Sequence, residues 1–155
     1  MSVFNNILVP VDGSENSSRA IEYASEIASK FNSKLTLFHA YFFTLPVTPS
    51  TILPGAPNYG VMTQESIDVL SQKTKKDANQ ILVQATNLVK SKNVLVKSLL
   101  REGRVVTEIL KILETEKFDL IVMGARGISG IKKLFLGSTS EEVVKKANCP
   151  VLIVK

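Results

Sequence analysis

Leu120-Ile121-Val122-Met123-Gly124-Ala125-Arg126-Gly127 and, a few residues on, Leu136-Gly137-Ser138-Thr139-Ser140-Glu141 are the two halves of one unit. The first half opens as a continuous apolar run, as a strand buried on both faces does, and then breaks into glycines. The second half reads as a helix start, with Ser138 at the cap and Glu141 placed to complete a capping box. Strand, glycine-rich turn and helix in that order form the repeating module of a parallel sheet. Glycines let a backbone approach a ligand closely, and a helix start offers unpaired N–H groups at the positive end of its dipole. The combination suits an anion, most usefully a phosphate. The plainer alternative is that the glycines shape a surface turn and Ser138 does no more than cap a helix.

Outward from this unit the same alternation repeats. Downstream, a helix from Thr139 to Ala147 leads through Pro150 to a last strand, Val151-Leu152-Ile153-Val154. Upstream, Gly103 introduces a helix carrying Val105, Val106, Ile109, Leu110 and Leu113, and Val94 to Leu100 alternates apolar and polar residues as a strand. Before that, Gln64 to Ser91 sets Ile67, Leu70, Ala78, Ile81, Leu82, Ala85, Leu88 and Val89 on one side of a long helix, with lysines as a solvated face. The chain opens with an apolar strand, Asn6 to Val11, in which Pro10 has no N–H for a ladder and so belongs at the carboxyl end. Asp12-Gly13-Ser14 makes the turn, and Ala20, Ile21, Ala24, Ile27, Ala28 and Phe31 recur at helical spacing over about four turns. Lys34 to Tyr41 is the second strand.

Strands and helices alternating in this way predict an α/β fold: one doubly wound five-stranded parallel sheet, order 3-2-1-4-5, with helices on both faces. Ligands bind such sheets beyond the carboxyl ends of the strands, where successive crossovers leave for opposite faces. In that strand order the turn at Asp12 and the turn from Gly124 to Ser138 face each other across one crevice.

Residues 42–61, with Pro46, Pro49, Pro54, Pro57, Gly55 and Gly60, admit no regular element. A loop this long reads as a lid, as a partner-binding arm, or as an insertion without a role. At 155 residues, 45% hydrophobic and 21% charged, the chain reads as one ordered domain. Its 19 Lys and Arg against 14 Asp and Glu are scattered rather than focused, and with no Trp and three Tyr this argues against nucleic acid. Cys149, the single cysteine, is expected to pack. His39 stands with no nucleophile and orienting acid that spacing can pair with it, and is expected to be a satisfied core or rim histidine. No His, Cys, Asp and Glu cluster has metal-ligand spacing. With no apolar run near the ~20 residues needed to span a bilayer and no leader-like start, the expected location is the cytoplasm, away from membranes.

The glycine spacing excludes two common phosphate loops. A dinucleotide fingerprint needs G-x-G-x-x-G, whereas Gly124, Gly127 and Gly130 are spaced by threes, and a P-loop needs a Gly-Lys-Ser/Thr that does not occur. Gly124-x2-Gly127-x9-Gly137-Ser138 instead resembles the nucleotide-binding signature of the universal stress protein family, in its ATP-binding branch. The resemblance extends over nearly the whole chain, through Ile7-Leu-Val-Pro-Val-Asp-Gly-Ser, Asp119-Leu-Ile-Val-Met-Gly and Cys149-Pro-Val-Leu-Ile-Val. It departs at 42–61.

The resemblance implies ATP as ligand, with Mg or Mn bridging the phosphates. By position, Pro10, Val11 and Asp12 would line the adenosine, and Ala40 would offer backbone groups to the base. Met123 and Gly124 would flank the nucleoside, while Arg126, Gly127, Gly137, Ser138, Thr139 and Ser140 would hold the phosphates. Locally, Asp12 reads equally as an acceptor for its own turn. Lys132 and Lys133 read better as a solvated pair. The apolar edge Val151–Val154 implies a homodimer with the sheets joined antiparallel, as is common in the family.

The function so implied is a nucleotide-dependent sensor or regulator with slow or no hydrolysis, since no residue is evident to position an attacking water. An ATP-splitting or adenylating enzyme is one alternative, although Asp12-Gly13-Ser14 only faintly echoes such loops. A partner-binding protein acting through 42–61 is the other.

Overall fold

The computed structural model describes residues 3–45, 62–89, 93–128 and 136–155. Lys132, Lys133, Gly130 and most of the 42–61 loop lie outside these residues.

The apolar runs become strands in the expected places: β1 Asn6–Pro10, β2 Lys34–Tyr41, β3 Leu95–Glu102, β4 Leu120–Gly124 and β5 Val151–Val154. The helices between them are α1 Glu15–Phe31, α2 Gln64–Val89, α3 Val105–Thr115 and α4 Ser138–Lys146. All pairings are parallel, in the order β3-β2-β1-β4-β5. Continuous burial of Ile7 to Pro10 and of Leu120 to Met123 explains why β1 and β4 read as unbroken apolar runs: both are central and covered on two sides.

The strand pleat sorts side chains between two cores. Ile7, Val9, Leu35, Leu37 and Val122 join Ala20, Ile21 and Ala24 of α1 and Leu82, Ala85 and Val89 of α2. Leu8, Phe38, Ala40, Ile121 and Met123 join Ile109, Ile112 and Leu113 of α3 and Val143 of α4. The first two crossovers thus run over one face and the last two over the other. The direction in which successive strands are added reverses between β1 and β4, which is the switch point.

That seam also opens there. β1 and β4 pair only at Ile7 with Leu120 and Leu8 with Ile121. Val11 N–H turns to β2 and donates to Phe38 O at 2.8 Å. By the alternation of a strand, the nitrogen of Pro10 therefore faces β4, where the next rung would go to the carbonyl of Val122. Proline has no N–H, so the ladder stops and the carboxyl ends part.

Several boundaries shift by a residue or two from the sequence reading. β3 runs two residues further, through Arg101 and Glu102, because these charged residues pair with Ala40 and Tyr41 on an edge strand that one side leaves open. α2 is described through Val89, and the expected last residues, Lys90 and Ser91, lie outside the described residues. The α4 cap is Gly137, not Ser138, and no side chain caps the helix. The capping box does not form: Glu141 pairs instead with Lys145 at 2.6 Å.

At the amino-terminal end of the seam, Asp119 Oδ2 accepts the N–H groups of Asn5 at 2.9 Å and Asn6 at 3.0 Å. These two donors hold its carboxyl below the ordinary 3.8. A carboxyl depressed by folding contributes stability that is complete above its unfolded value and lost as pH falls through the folded one. Asp119→Ala is therefore expected to lower the unfolding free energy near pH 7, by less than about 1 kcal/mol because solvent screens the group. The gap should close as pH drops below 3.8; urea titrations at pH 7 and pH 3 that show an equal gap would refute the linkage. Cys149 lies near this end, half-buried against the second core, where burial and then the charge of Asp119 push its thiol up and keep it protonated.

Candidate functional site

At the carboxyl end of the seam is a cavity of about 370 Å³, within the range of small-molecule sites. Pro10, Val11, Asp12, Ala40, Met123, Gly124, Arg126, Gly127, Gly137, Ser138, Thr139 and Ser140 all lie in its wall. The structure thus brings together residues from three separate strand ends and from the start of α4. The wall also includes Ser17, Phe38, His39, Val105 and Ile128, which the sequence reading did not assign to a site.

The Asp12 side is tightly determined. Asp12 Oδ1 accepts Ser14 N–H at 3.0 Å, the local turn bond that its sequence context predicts. Its Oδ2 accepts Ile128 N–H at 3.2 Å from the other side of the crevice. Its own N–H donates to Ser17 Oγ at 3.2 Å, and Ser14 Oγ caps α1 by accepting Ser17 N–H at 3.2 Å. His39 Nδ1 lies 2.7 Å from Val11 O. A carbonyl only accepts, so this nitrogen carries the proton and the ring steadies the strand end. His39 is therefore a satisfied rim residue, as its isolation in sequence suggests.

The glycines opposite are required by close approach. A Cβ on Gly124 would stand 2.9 Å from the backbone carbonyl carbon and from the Cβ of Asn16, in the first turn of α1. A Cβ on Gly127 would overlap Asp12 Oδ2. Asn16 Nδ2 also donates to Arg126 O at 3.4 Å, so the glycine turn is seated on the start of α1.

The start of α4 is arranged differently from that of α1. Gly137 N–H donates to Ala125 O at 2.7 Å, and Ser140 Oγ is turned inward, donating to Ala125 O at 2.8 Å and Gly137 O at 2.9 Å. Ser140 is buried and anchors the turn, whereas Ser138 beside it is exposed in the cavity wall. With glycine at the cap, no side-chain cap bond is made to the first-turn N–H groups of α4 among the described residues. Those donors, the positive end of the dipole, the half-buried Arg126 and the Asp12 carboxylate all line the same cavity. Chemically the cavity can accept from hydroxyl or amino groups at Asp12 and donate to an anion at α4.

Fold and crevice together define a doubly wound α/β protein with a polar-ended ligand site at its switch point. The chain belongs to the universal stress protein family, whose model matches residues 4–155. It is 33% identical over 153 residues to the universal stress protein YxiE of Bacillus subtilis, covering 99% of this chain and all of that one. Among solved structures, the universal stress protein UspA from Lactobacillus plantarum matches with a TM-score of 0.77 and 25% identity, over 98% of each chain. A universal stress protein solved in complex with cAMP matches with a TM-score of 0.67 and 27% identity, over 97% of this chain and 96% of that one.

Proposed function

We propose that the crevice binds an adenine nucleotide, ATP by preference, and that the protein acts as a nucleotide-dependent sensor or regulator with slow or no hydrolysis. One observation carries the reading: the Asp12 carboxylate and the glycine-capped start of α4 line a single cavity. A nucleoside presents donors and its phosphates present acceptors, and the cavity wall offers a carboxylate for the first and helix-start N–H groups for the second. The cAMP complex of the related protein supports adenine as the base.

In this reading Pro10, Val11 and Asp12 line the adenosine, the backbone at Ala40 meets the base, and Met123 and Gly124 flank the nucleoside. Arg126, Gly127, Gly137, Ser138, Thr139 and Ser140 surround the phosphates, Arg126 adding charge and Ser140 holding the turn. Among the described residues no three His, Cys, Asp or Glu side chains gather as metal ligands. Mg or Mn would therefore enter with the phosphates, for which the Ser138 and Thr139 hydroxyls offer the hard oxygen donors such ions prefer. Mass spectrometry of what co-purifies, followed by calorimetry with ATP, AMP and GTP, tests the reading. Adenine nucleotides should bind and GTP should bind more weakly; no heat with any of them would refute it.

We further propose a homodimer through β5. This strand pairs with β4 on one side, and Leu152 at its centre is 36% exposed. An apolar edge of this kind is stabilised by pairing with a second copy. Leu152→Lys is expected to shift the protein from dimer to monomer in sedimentation at micromolar concentration, and a wild-type chain that sediments as a monomer would exclude the interface. Among the described residues, no helix is long and apolar enough to cross a membrane.

A further inference from the structure

The Asp12 carboxylate already has a partner across the crevice, and that partner is a backbone group. Its Oδ2 takes Ile128 N–H at 3.2 Å, while its Oδ1 is turned toward Ser14. Gly127 sits so close to Oδ2 that even a methyl group there would overlap it. The space beside this oxygen is thus filled by the glycine turn, which leaves little room for a second donor to share it. The same turn is also held to α1, by the long bond from Asn16 Nδ2 to Arg126 O at 3.4 Å.

We infer that the Ile128 amide and the nucleotide compete for Asp12 Oδ2, so that binding exchanges one donor for the other and frees the Gly127–Ile128 peptide. The inference rests on the adenine-nucleotide reading of this site and adds to it a means of signalling. Asp12 becomes a latch, Asn16 a positioning residue that keeps the turn seated at Arg126 while the latch changes hands. Occupancy is then reported at the crevice mouth, where the Ile128 side chain is 77% exposed. A surface residue tied through its backbone to the ligand's acceptor is a direct route from site to surface.

Amide hydrogen exchange at Ile128, followed by NMR in the wild-type chain with and without saturating ATP, tests the exchange of donors. The Ile128 bond is long at 3.2 Å and its donor is exposed, so it is worth less than a shielded bond to a charged acceptor and corresponds to a change of about two- to tenfold. Exchange at Ile128 should speed up by that factor when ATP is added. Ile128→Pro, which deletes the competing N–H and leaves Asp12 in place, should bind ATP more tightly by a similar factor in calorimetry. Exchange at Ile128 that slows or stays constant under saturating ATP overturns the latch, whatever the variant does. Absence of any ATP binding to the wild type defeats the nucleotide reading and the latch together, whereas binding with unchanged Ile128 exchange defeats the latch alone.

Discussion

Phe38→Ala should lower the unfolding free energy by about 3–5 kcal/mol, the range for emptying a buried aromatic site. Phe38 is fully buried on the β2 face that meets Leu8, Ile109, Ile121 and Met123. It stands over the β1 register position Pro10 and gives its carbonyl to Val11. Neighbouring strands are fixed in place by the sheet, so the hole has little scope to collapse, which sets the cost toward the upper part of the range. A chain of this size loses roughly 2–4 °C of melting temperature per kcal/mol, so the shift should be on the order of 10 °C. Urea denaturation measures the change directly. A loss below about 1 kcal/mol would mean that the second core is not packed as described.

The second large effect should fall on binding rather than on folding. Asp12→Ala removes the one carboxylate in the cavity wall together with its bonds to Ser14 and Ile128. Hydrogen bonds to a charged acceptor are worth about 1.5–3 kcal/mol, which predicts a fall in ATP affinity of roughly 10- to 150-fold. Stability should change less than for Phe38→Ala, because a half-buried polar group leaves no apolar hole. Asp12→Asn should lie between the wild type and the alanine variant, since it keeps an acceptor and loses the charge. Calorimetric affinities that are equal for the wild type and Asp12→Ala would remove Asp12 from the site.

Much of the fold is legible in sequence because the central strands are buried on both faces and carry nothing but apolar residues. β2 and the start of α1 fall where the apolar run and the Asp12-Gly13-Ser14 turn place them. The twelve residues expected around one crevice do line one cavity, because a 3-2-1-4-5 order leaves the ends of β1 and β4 side by side. The misreadings have local causes. Ser138 followed by Glu141 has the form of a capping box, but Glu141 finds Lys145 one turn on, and the inward turn of Ser140 makes Gly137 the cap. Arg101 and Glu102 look like loop, yet an edge strand tolerates charge. Ser17 was findable, since a hydroxyl in the first turn after Asp12 can reach back to its N–H. Ile128 was not: it acts through its amide, and no side-chain pattern reports where a backbone donor points.

Pro10 has one more implication. An imino acid at that position withholds a rung, so the two middle strands resemble a zip fastener halted short of its top. The gape is written into the covalent structure of a single residue and exists before any visitor arrives. An occupant accordingly finds the strands already apart, and its docking energy goes into displacing the Ile128 amide from Asp12 rather than into unzipping the sheet.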